Sequence, residues 1–313
     1  MKKQLEDRVF MYSRWLRKRY GTKVFRVGLS TGITCPHRIE TGGCIYCNPR
    51  TFTGEYQDAG LSIARQMARA IPRIKASCGD VKLLAYFQDE TSTAGPISYL
   101  RKCFLDALVH PDVVGLVVST RPDAVRSDVL EMLKSLKIPV TIELGLQSIH
   151  DKSLTYLNRG HSFAQVQDAV ARCGKAGMEV GVHLIIGIPG ETETMMREAV
   201  EWVGNNPWIT QVKFHNLVIY KDTKLARMAE AGEVMAFGIQ DYVPLLARLL
   251  TYLPGTMPVL RLFTSNVRRE QIALGEYPGN KTKWMSLLRN EMNEKNVVQG
   301  QQTAVPFTKE DTC

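Results

Sequence analysis

Three cysteines stand close together in one short segment near the amino terminus. The segment is Cys35-Pro-His-Arg-Ile-Glu-Thr-Gly-Gly-Cys44-Ile-Tyr-Cys47, and no fourth cysteine follows nearby. A structural zinc site is normally closed by four protein ligands, whereas a metal centre that binds substrate keeps one coordination position open. Three thiolates on a four-iron cluster leave one iron free. The segment is therefore a candidate site for a [4Fe–4S] cluster.

Two other uses of these cysteines remain open. Cys44 and Cys47 form a Cys-x-x-Cys pair, which is typical of redox-active dithiols, and His37 could complete a zinc site. Neither use requires Cys35, which is separated from Cys44 by eight residues. The other cysteines are expected to be small apolar residues without a metal role: Cys78, Cys103, Cys173 and Cys313.

Composition indicates a globular chain. It has 313 residues, of which 44% are hydrophobic and 23% charged, enough for one large core or two modest ones. No apolar stretch is long enough to cross a membrane, and the first residues lack the apolar centre of a signal peptide. Seven cysteines without framework spacing fit a reducing compartment. We expect a cytoplasmic protein with no membrane partner.

Positive charge is concentrated at the amino terminus. Residues 1–26 hold nine basic and two acidic residues, a net +7 of the chain's +9. Within residues 1–22, apolar side chains recur at helical spacing, which predicts one amphipathic helix docked by one face. The apolar positions are Leu5, Val9, Tyr12, Leu16 and Tyr20.

The other face of this helix is basic and carries Arg14, Arg17, Lys18 and Arg19. A polyanion such as RNA suits this face, and a solvated helix surface explains the charge equally well. Both interpretations stay open at this stage.

Apolar, β-branched runs alternate with amphipathic stretches over residues 23–220, and this alternation predicts parallel βα units. Six strands are predicted, at 23–29, 81–87, 113–119, 138–145, 179–186 and 211–219. Helices are predicted between them, near 61–77, 96–109, 124–136, 163–176 and 191–204. The fold class is therefore α/β, a partial (β/α)6 TIM-like barrel.

A different pattern follows the sixth strand. Residues 221–295 predict a helical extension that packs on the barrel, with helices near 223–232, 237–252 and 280–293 and a strand at 259–263. Residues 296–313 offer little apolar surface to bury, so we expect a disordered tail.

Polar residues follow the carboxyl ends of the predicted strands, where a barrel enzyme places its active site. They are Gln88, Asp89, Arg121, Glu143, Gln147, His161, His183, Gly187, Gly190 and His215. Each has an ordinary structural explanation when taken alone. Together they predict carboxylate, amide, guanidinium and imidazole groups around one mouth, beside the cysteine segment that follows the first strand.

These motifs resemble the radical S-adenosylmethionine (radical SAM) superfamily. Residues 27–217 are similar to the catalytic core of the Elongator subunit Elp3, through the cysteine segment and four further blocks: Thr120-Arg-Pro-Asp123, Glu143-Leu-Gly-Leu-Gln147-Ser, Arg159-Gly-His161, and His183 to Gly190. Nearly the whole chain resembles the bacterial YhcC/YtqA (MnmL-like) group, through Tyr86-Phe-Gln88, Asn158-Arg-Gly-His161 and Val212-Lys-Phe-His215-Asn-Leu217.

Two features depart from the family patterns. Eight residues separate Cys35 from Cys44, where the usual radical SAM signature has three, and this long form belongs to the Elp3-like and YhcC-like branches. We expect no acetyltransferase domain of the kind that follows the core in Elp3, so acetyl-CoA chemistry is not carried over.

The resemblance implies a cofactor pair, a [4Fe–4S] cluster on Cys35, Cys44 and Cys47 with SAM on its fourth iron. It places Tyr46 and the Gly187–Gly190 turn near the adenine, and Gln88 and Asp89 near the methionyl amino group. It also places Arg121 near the carboxylate or ribose of SAM, and Glu143 and Gln147 near the ribose hydroxyls.

The function implied is cleavage of SAM to a 5′-deoxyadenosyl radical that acts on RNA, a modified tRNA wobble uridine. An electron donor such as flavodoxin or ferredoxin is the expected partner. Substrate contacts are expected from His161, His183 and His215 and from the basic helix. The alternatives are a radical SAM enzyme with a small-molecule or protein substrate, a non-catalytic zinc-bound RNA-binding module, and an electron carrier.

Overall fold

The computed structural model describes residues 3–51, 58–264, 268–275 and 281–308. Its strands are β1 Val24–Leu29, β2 Lys82–Phe87, β3 Val113–Thr120, β4 Val140–Gln147, β5 Glu179–Ile186, β6 Ile209–Asn216, β7 Ile219–Tyr220, β8 Val259–Arg261 and β9 Ile272–Leu274. Its α-helices are α1 Tyr12–Tyr20, α2 Pro36–Thr41, α3 Ile63–Cys78, α4 Ile97–Leu108, α5 Ser127–Ser135, α6 Asp151–Tyr156, α7 Phe163–Lys175, α8 Glu193–Asn205, α9 Lys224–Glu230, α10 Ile239–Leu250 and α11 Lys281–Glu294.

Seven parallel strands form the main sheet, in the order β1-β2-β3-β4-β5-β6-β8. The partial barrel, its six predicted strands and the helices between them are confirmed, and the strand predicted at 259–263 joins the same sheet as a seventh strand. The seventh strand, β8, comes from the C-terminal extension and pairs with β6, where it covers an edge that would otherwise expose unpaired backbone groups. β7 and β9 form a separate antiparallel pair.

Side-chain contacts across the concave face show that the sheet is curled. Arg26 on β1 reaches Glu143 on β4, with 2.6 Å between Nη1 and Oε1. Lys213 on β6 reaches Tyr86 on β2, with 3.2 Å between Nζ and the phenol oxygen. β1 and β8 remain the two edges, and Met11 forms a parallel bridge with Val259 near them. The sheet is therefore a half-barrel.

Both faces of the sheet are covered. Leu83, Ala85 and Phe87 point outward into the main core beneath the helices, whereas Leu84 and Tyr86 alternate with them and point to the concave side. A parallel sheet covered on both faces requires long apolar runs, and these made the strands recognisable in the sequence. Among the helices of the described residues, none has the length and apolar character needed to cross a membrane.

The amino-terminal segment, predicted as a single helix, forms two separate helical pieces. A 3-10 turn at Leu5–Asp7 is followed by an extended stretch and then by α1. Tyr12 and Leu16 of α1 are buried against Leu84 and Val117 on the concave side of the sheet. Spacing alone predicted the buried face correctly, but residues 8–11 leave the helical path.

The basic helix and the cysteine segment lie at opposite ends of the half-barrel. Arg19 of α1 forms an ion pair with Glu179, the first residue of β5. Phe10, just before α1, accepts a hydrogen bond from the backbone of Val259, the first residue of β8. Both contacts are at the amino-terminal ends of strands, whereas Cys35 follows the carboxyl end of β1.

The predicted disordered tail is wrong for residues 296–308, and residues 309–313 lie outside the described residues. Gln299 is fully buried, although its side chain is polar. Its Oε1 accepts a hydrogen bond from the Phe10 backbone at 2.9 Å, and its Nε2 donates to the carbonyls of Pro254 and Met257 at 2.7 and 2.8 Å. Phe307 is also buried. The polar contacts of Gln299 and the stacking of Phe307 on Phe10 hold the tail.

Replacing Gln299 with Ala should lower the free energy of unfolding by about 2–4 kcal/mol, because three buried backbone groups lose their partner. Urea denaturation followed by circular dichroism measures the change. The control is Gln302→Ala, since this side chain is exposed and its substitution should cost under about 0.5 kcal/mol. Equal midpoints for the two variants would contradict the docked tail.

Candidate functional site

A cavity of about 230 Å³ opens at the carboxyl ends of the strands. It gathers the three cysteines and many of the polar residues predicted from the sequence. Of the predicted site residues, those that line it are Cys35, Cys44, Tyr46, Cys47, Gln88, Asp89, Glu143, Gln147, His183 and His215. Within the described part of the chain, the mouth predicted from strand ends is thus one shared cavity.

The wide spacing between the first two cysteines is occupied by the short helix α2. Cys35 precedes this helix as its N-cap, and Pro36 takes the first helical position, where its missing N–H costs nothing. Gly42 ends the helix in the left-handed conformation, at φ 81°. The eight intervening residues therefore fold into a defined element that places Cys44 beside the same cavity as Cys35.

The Cys44–Cys47 turn is pinned by Ile45. The Ile45 backbone N–H donates to Leu157 at 3.1 Å, and its carbonyl accepts from Leu225 at 2.9 Å. Its side chain is buried in a second apolar cluster with residues such as Ile185. Ile45, the first of the two residues between Cys44 and Cys47, is therefore a buried anchor, and both thiols stay at the cavity wall.

Two arginines contact the thiols. Arg159 Nη1 lies 3.4 Å from Cys44 Sγ, and Arg38 Nη2 lies 3.0 Å from Cys47 Sγ. Burial by itself raises the pKa of the Cys44 thiol, but the Arg159 charge and a hydrogen bond to His37 lower it to about 6. Burial raises the pKa of the Cys47 thiol to about 12, because Arg38 offsets it only in part. Of these two thiols, Cys44 is therefore held closer to its thiolate form.

This donor set fits an iron–sulfur cluster. Three thiols line one cavity, and two guanidinium groups lie where they offset thiolate charge. Across the described ranges, no three His, Cys, Asp or Glu side chains converge closely enough to hold a metal ion. The sulfurs share the cavity wall without surrounding a common point, so the cluster-ligand assignment remains a prediction.

Two glutamines offer uncommitted amides to the cavity. Neither Gln88 nor Gln147 forms a side-chain hydrogen bond with another described residue, and both line the cavity. Gln147 also has a positive φ of 69°, a conformation that costs energy in a residue with a side chain. Strained backbone and a free amide together are typical of a ligand contact.

The structure gives Asp89 a different role from the predicted contact with the SAM amino group. Its Oδ1 accepts from the Ser30 hydroxyl at 2.6 Å, and its Oδ2 accepts from the Thr31 N–H and hydroxyl at 2.7 and 2.6 Å. The carboxylate therefore holds the chain that leaves β1 towards Cys35, although it borders the cavity.

Protein groups already satisfy both oxygens of Glu143, whose contact with SAM stays a prediction. Oε1 accepts from Arg26 at 2.6 Å, and Oε2 is within hydrogen-bond distance of Lys213 Nζ at 2.6 Å, the Tyr86 hydroxyl at 3.0 Å and His183 Nε2 at 3.1 Å. A predicted contact with the ribose of SAM would have to displace one of these partners.

The charges in this network shift each other's ionisation. Burial alone raises the pKa of the Glu143 carboxyl, but Arg26 and Lys213 hold it well below its usual range. Burial lowers the pKa of the Lys213 ammonium to about 7, although Glu143 opposes the shift. Burial also lowers the pKa of His183 to about 4, so this imidazole is neutral at pH 7.

Apart from the basic residues of α1, four predicted site residues do not border the cavity. Arg121 is 2% exposed and pairs with Asp123 at 3.0 Å, and its contact with SAM stays a prediction. A side chain at Gly187 would lie 2.6 Å from Phe237, which makes this glycine a packing requirement. Gly190 also lies outside the cavity lining, as does His161, which is buried. The basic residues of α1 are at the far end of the half-barrel.

Sequence reasoning missed Lys213, Arg261, Arg38 and Arg159 as site residues, and all four line the cavity. A signal was available for Lys213, because this lysine lies between the apolar residues Val212 and Phe214 of a predicted strand. Arg261 gave no comparable signal.

Family comparisons agree with this fold. Residues 29–203 match the family model of the radical SAM superfamily, and residues 209–294 match that of the Radical_SAM C-terminal domain. Escherichia coli K12 protein YhcC is 34% identical over 94% of this chain and 95% of YhcC. The chain therefore belongs to the radical SAM superfamily, and it is an enzyme of that class.

More distant similarity links the chain to tRNA-modifying proteins. A tRNA uridine(34) acetyltransferase of Methanocaldococcus jannaschii is 24% identical over 82% of this chain, which spans 53% of that enzyme. The solved structure of Methanocaldococcus infernus Elp3 has a TM-score of 0.67 at 20% identity, covering 88% of this chain and 64% of the other. At this identity the structural match establishes the fold alone.

Glu143→Gln should destabilise the chain by about 3 kcal/mol or more, because Arg26 and Lys213 lose the buried charge that compensates them. The wild-type contribution is present above the ordinary carboxyl pKa, and it is lost only when acid protonates Glu143 in the folded chain. Urea midpoints at pH 7 measure the loss.

The control is Glu179→Gln, which removes a partly exposed ion pair with Arg19 and should cost under about 1 kcal/mol. Similar costs for the two substitutions would show that the Glu143 network adds nothing beyond a surface pair.

Proposed function

We propose that Cys35, Cys44 and Cys47 hold a [4Fe–4S] cluster and that the protein uses SAM to modify RNA, at a tRNA wobble uridine. One observation carries this proposal: the three thiols share a single cavity with the uncommitted amides of Gln88 and Gln147. Such a cluster, when bound, leaves one iron for the amino and carboxylate groups of SAM and supplies the electron that cleaves the sulfonium bond to a deoxyadenosyl radical.

In this proposal the chain's own residues stabilise the thiolates, orient SAM and shield the cavity. Arg159 and Arg38 offset the negative charge of the thiolates. Gln88 and Gln147 donate and accept hydrogen bonds to SAM, and Tyr46 presents its ring to the adenine beside Cys44 and Cys47. The curled sheet surrounds the cavity and limits access by water and stray reductants, which a reactive radical requires.

The tRNA substrate is supported by the name of a relative, tRNA uridine(34) acetyltransferase, which matches most of this chain. A one-electron donor such as flavodoxin or ferredoxin completes the scheme. Mass spectrometry of tRNA nucleosides from wild-type and deletion cells tests the substrate. A wobble uridine that loses or changes its modification on deletion is the expected result, and an unchanged profile would favour a small-molecule or protein substrate.

Alanine at Cys35, Cys44 or Cys47 should remove most of the iron from protein reconstituted without oxygen, because three thiolates are the minimum set for a site-differentiated cluster. Iron analysis and absorbance near 400 nm measure the loss, against about four irons per wild-type chain.

Two variants serve as controls. Cys78→Ala should keep its iron, since Cys78 does not line the cavity. Gln88→Ala should also keep its iron while weakening SAM binding by about 5- to 30-fold, the usual effect of losing one hydrogen bond. Zinc in the wild-type protein, or iron that survives all three cysteine substitutions, would sink the cluster assignment.

The basic face of α1 is proposed as a second contact with RNA phosphates. A quadruple variant tests this contact, with glutamine in place of Arg14, Arg17, Lys18 and Arg19. The slope of log affinity against log salt should fall by up to about 3, or roughly 0.7–0.9 for each phosphate contact. Arg19 contributes least, because it pairs with Glu179. Electrophoretic mobility shifts with tRNA over a salt series measure the slope. Iron content should not change, and an unaltered slope would make this face a solvated helix surface.

A further inference from the structure

A bulge in β8 brings Arg261 to the cavity. Val212 pairs with Val259 and Lys213 pairs with Arg261, so Leu260 is an extra residue between the two registers. Val212 and Val259 are buried in the outer core. A regular strand would turn residue 261 to that same outer face, since side chains alternate. The bulge shifts the alternation by one residue, and Arg261 lines the cavity beside Lys213.

Positive charge exceeds negative charge at this side of the cavity. Arg26 and Lys213 share the single carboxylate of Glu143. No acidic side chain among the described residues forms an ion pair with Arg261, and its guanidinium makes no side-chain hydrogen bond with them. Its field lowers the pKa of both His183 and His215, although burial is the larger cause for each. The imidazoles add no charge, so the excess belongs to Arg261.

The other cavity carboxylates are already engaged on the cysteine side. Glu90 pairs with Arg38 at 2.6 Å, and Asp89 is held by Ser30 and Thr31. Neither is placed to neutralise Arg261. A cavity that leaves a guanidinium unpaired, next to a lysine whose only carboxylate is shared, is built to receive an anion.

A hydrogen-bond donor accompanies these cations. Asn216, at the end of β6, lines the cavity and is nearly buried. Its Oδ1 accepts from the Thr264 backbone at 2.9 Å, which fixes the amide so that its Nδ2 is the group left to donate.

We propose that Arg261, together with Lys213 and Asn216, forms an anion subsite that binds a carboxylate or phosphate group of the substrate. The assignment rests on the proposed function only in taking this cavity as the active site. Arg261 would act as a specificity-determining residue, since its planar fork can bind two oxygens of one anion and a neutral substrate would leave it unpaired.

Isothermal titration of the full-length, cluster-reconstituted protein tests the subsite. Sodium acetate and inorganic phosphate are the probes, titrated separately at constant ionic strength. Arg261→Gln should weaken binding of the preferred anion by about 10-fold or more, and Arg261→Lys should restore part of the loss by keeping the charge without the fork. The control is Arg269→Gln, an exposed charge outside the cavity, which should bind as wild type does.

The two probes distinguish the sources. A loss confined to acetate identifies a carboxylate on the substrate, and a loss confined to phosphate identifies a phosphate. The proposal is overturned if wild-type protein binds neither anion saturably or if Arg261→Gln leaves both affinities unchanged. It is also overturned if Arg261→Gln weakens binding of SAM, because the subsite would then serve the cofactor's own carboxylate. Iron content and SAM cleavage without RNA, measured on the same wild-type sample, report separately on the proposed function.

Discussion

The carboxylate of Glu143 is the contact on which the shape of the half-barrel depends. It receives Arg26 from β1, Tyr86 from β2, His183 from β5 and Lys213 from β6, while it stands on β4 itself. Burying these charges is costly, and apolar side chains of similar size would stabilise a core at least as well. Ser119 on β3 also donates to Glu143, at 3.3 Å. What the network adds is a polar interior that joins six strands across the concave face, so the cavity above it keeps a defined floor.

That floor divides the cavity by charge. On the cysteine side, Arg159 and Arg38 face thiols, and a cluster bound there would satisfy them. On the β6–β8 side, the one carboxylate is saturated and Arg261 has no counterion among the described residues. A site with anionic cofactor ligands at one side and an unpaired cation at the other orients any substrate that carries a negative group.

The sequence predicted local features well and distant contacts poorly. Strands β1 to β6 were recognisable because both faces of the sheet are buried, and the cysteine segment because thiol spacing is a local property. The sequence placed Glu143 near the cofactor, but it could not show that five other strands supply hydrogen-bond partners to this carboxylate. The roles of Gln299 and Arg261 were not predicted for a related reason. The burial of Gln299 depends on contacts with residues far along the chain, and the position of Arg261 depends on a register shift against β6.

The position of α1 limits what kind of RNA can use both proposed contacts. Tyr12 and Leu16 close the concave face at the amino-terminal ends of the strands, and the cavity opens at the other ends. The Glu143 network lies between the two contacts, because Arg26 lies over the Tyr12 ring of α1 and also pairs with Glu143 at the cavity. An RNA that uses both contacts must therefore reach around the half-barrel, which a folded RNA can do. Any contribution of α1 to affinity should therefore depend on the size of the RNA, while the anion subsite, which lies inside the cavity, should not.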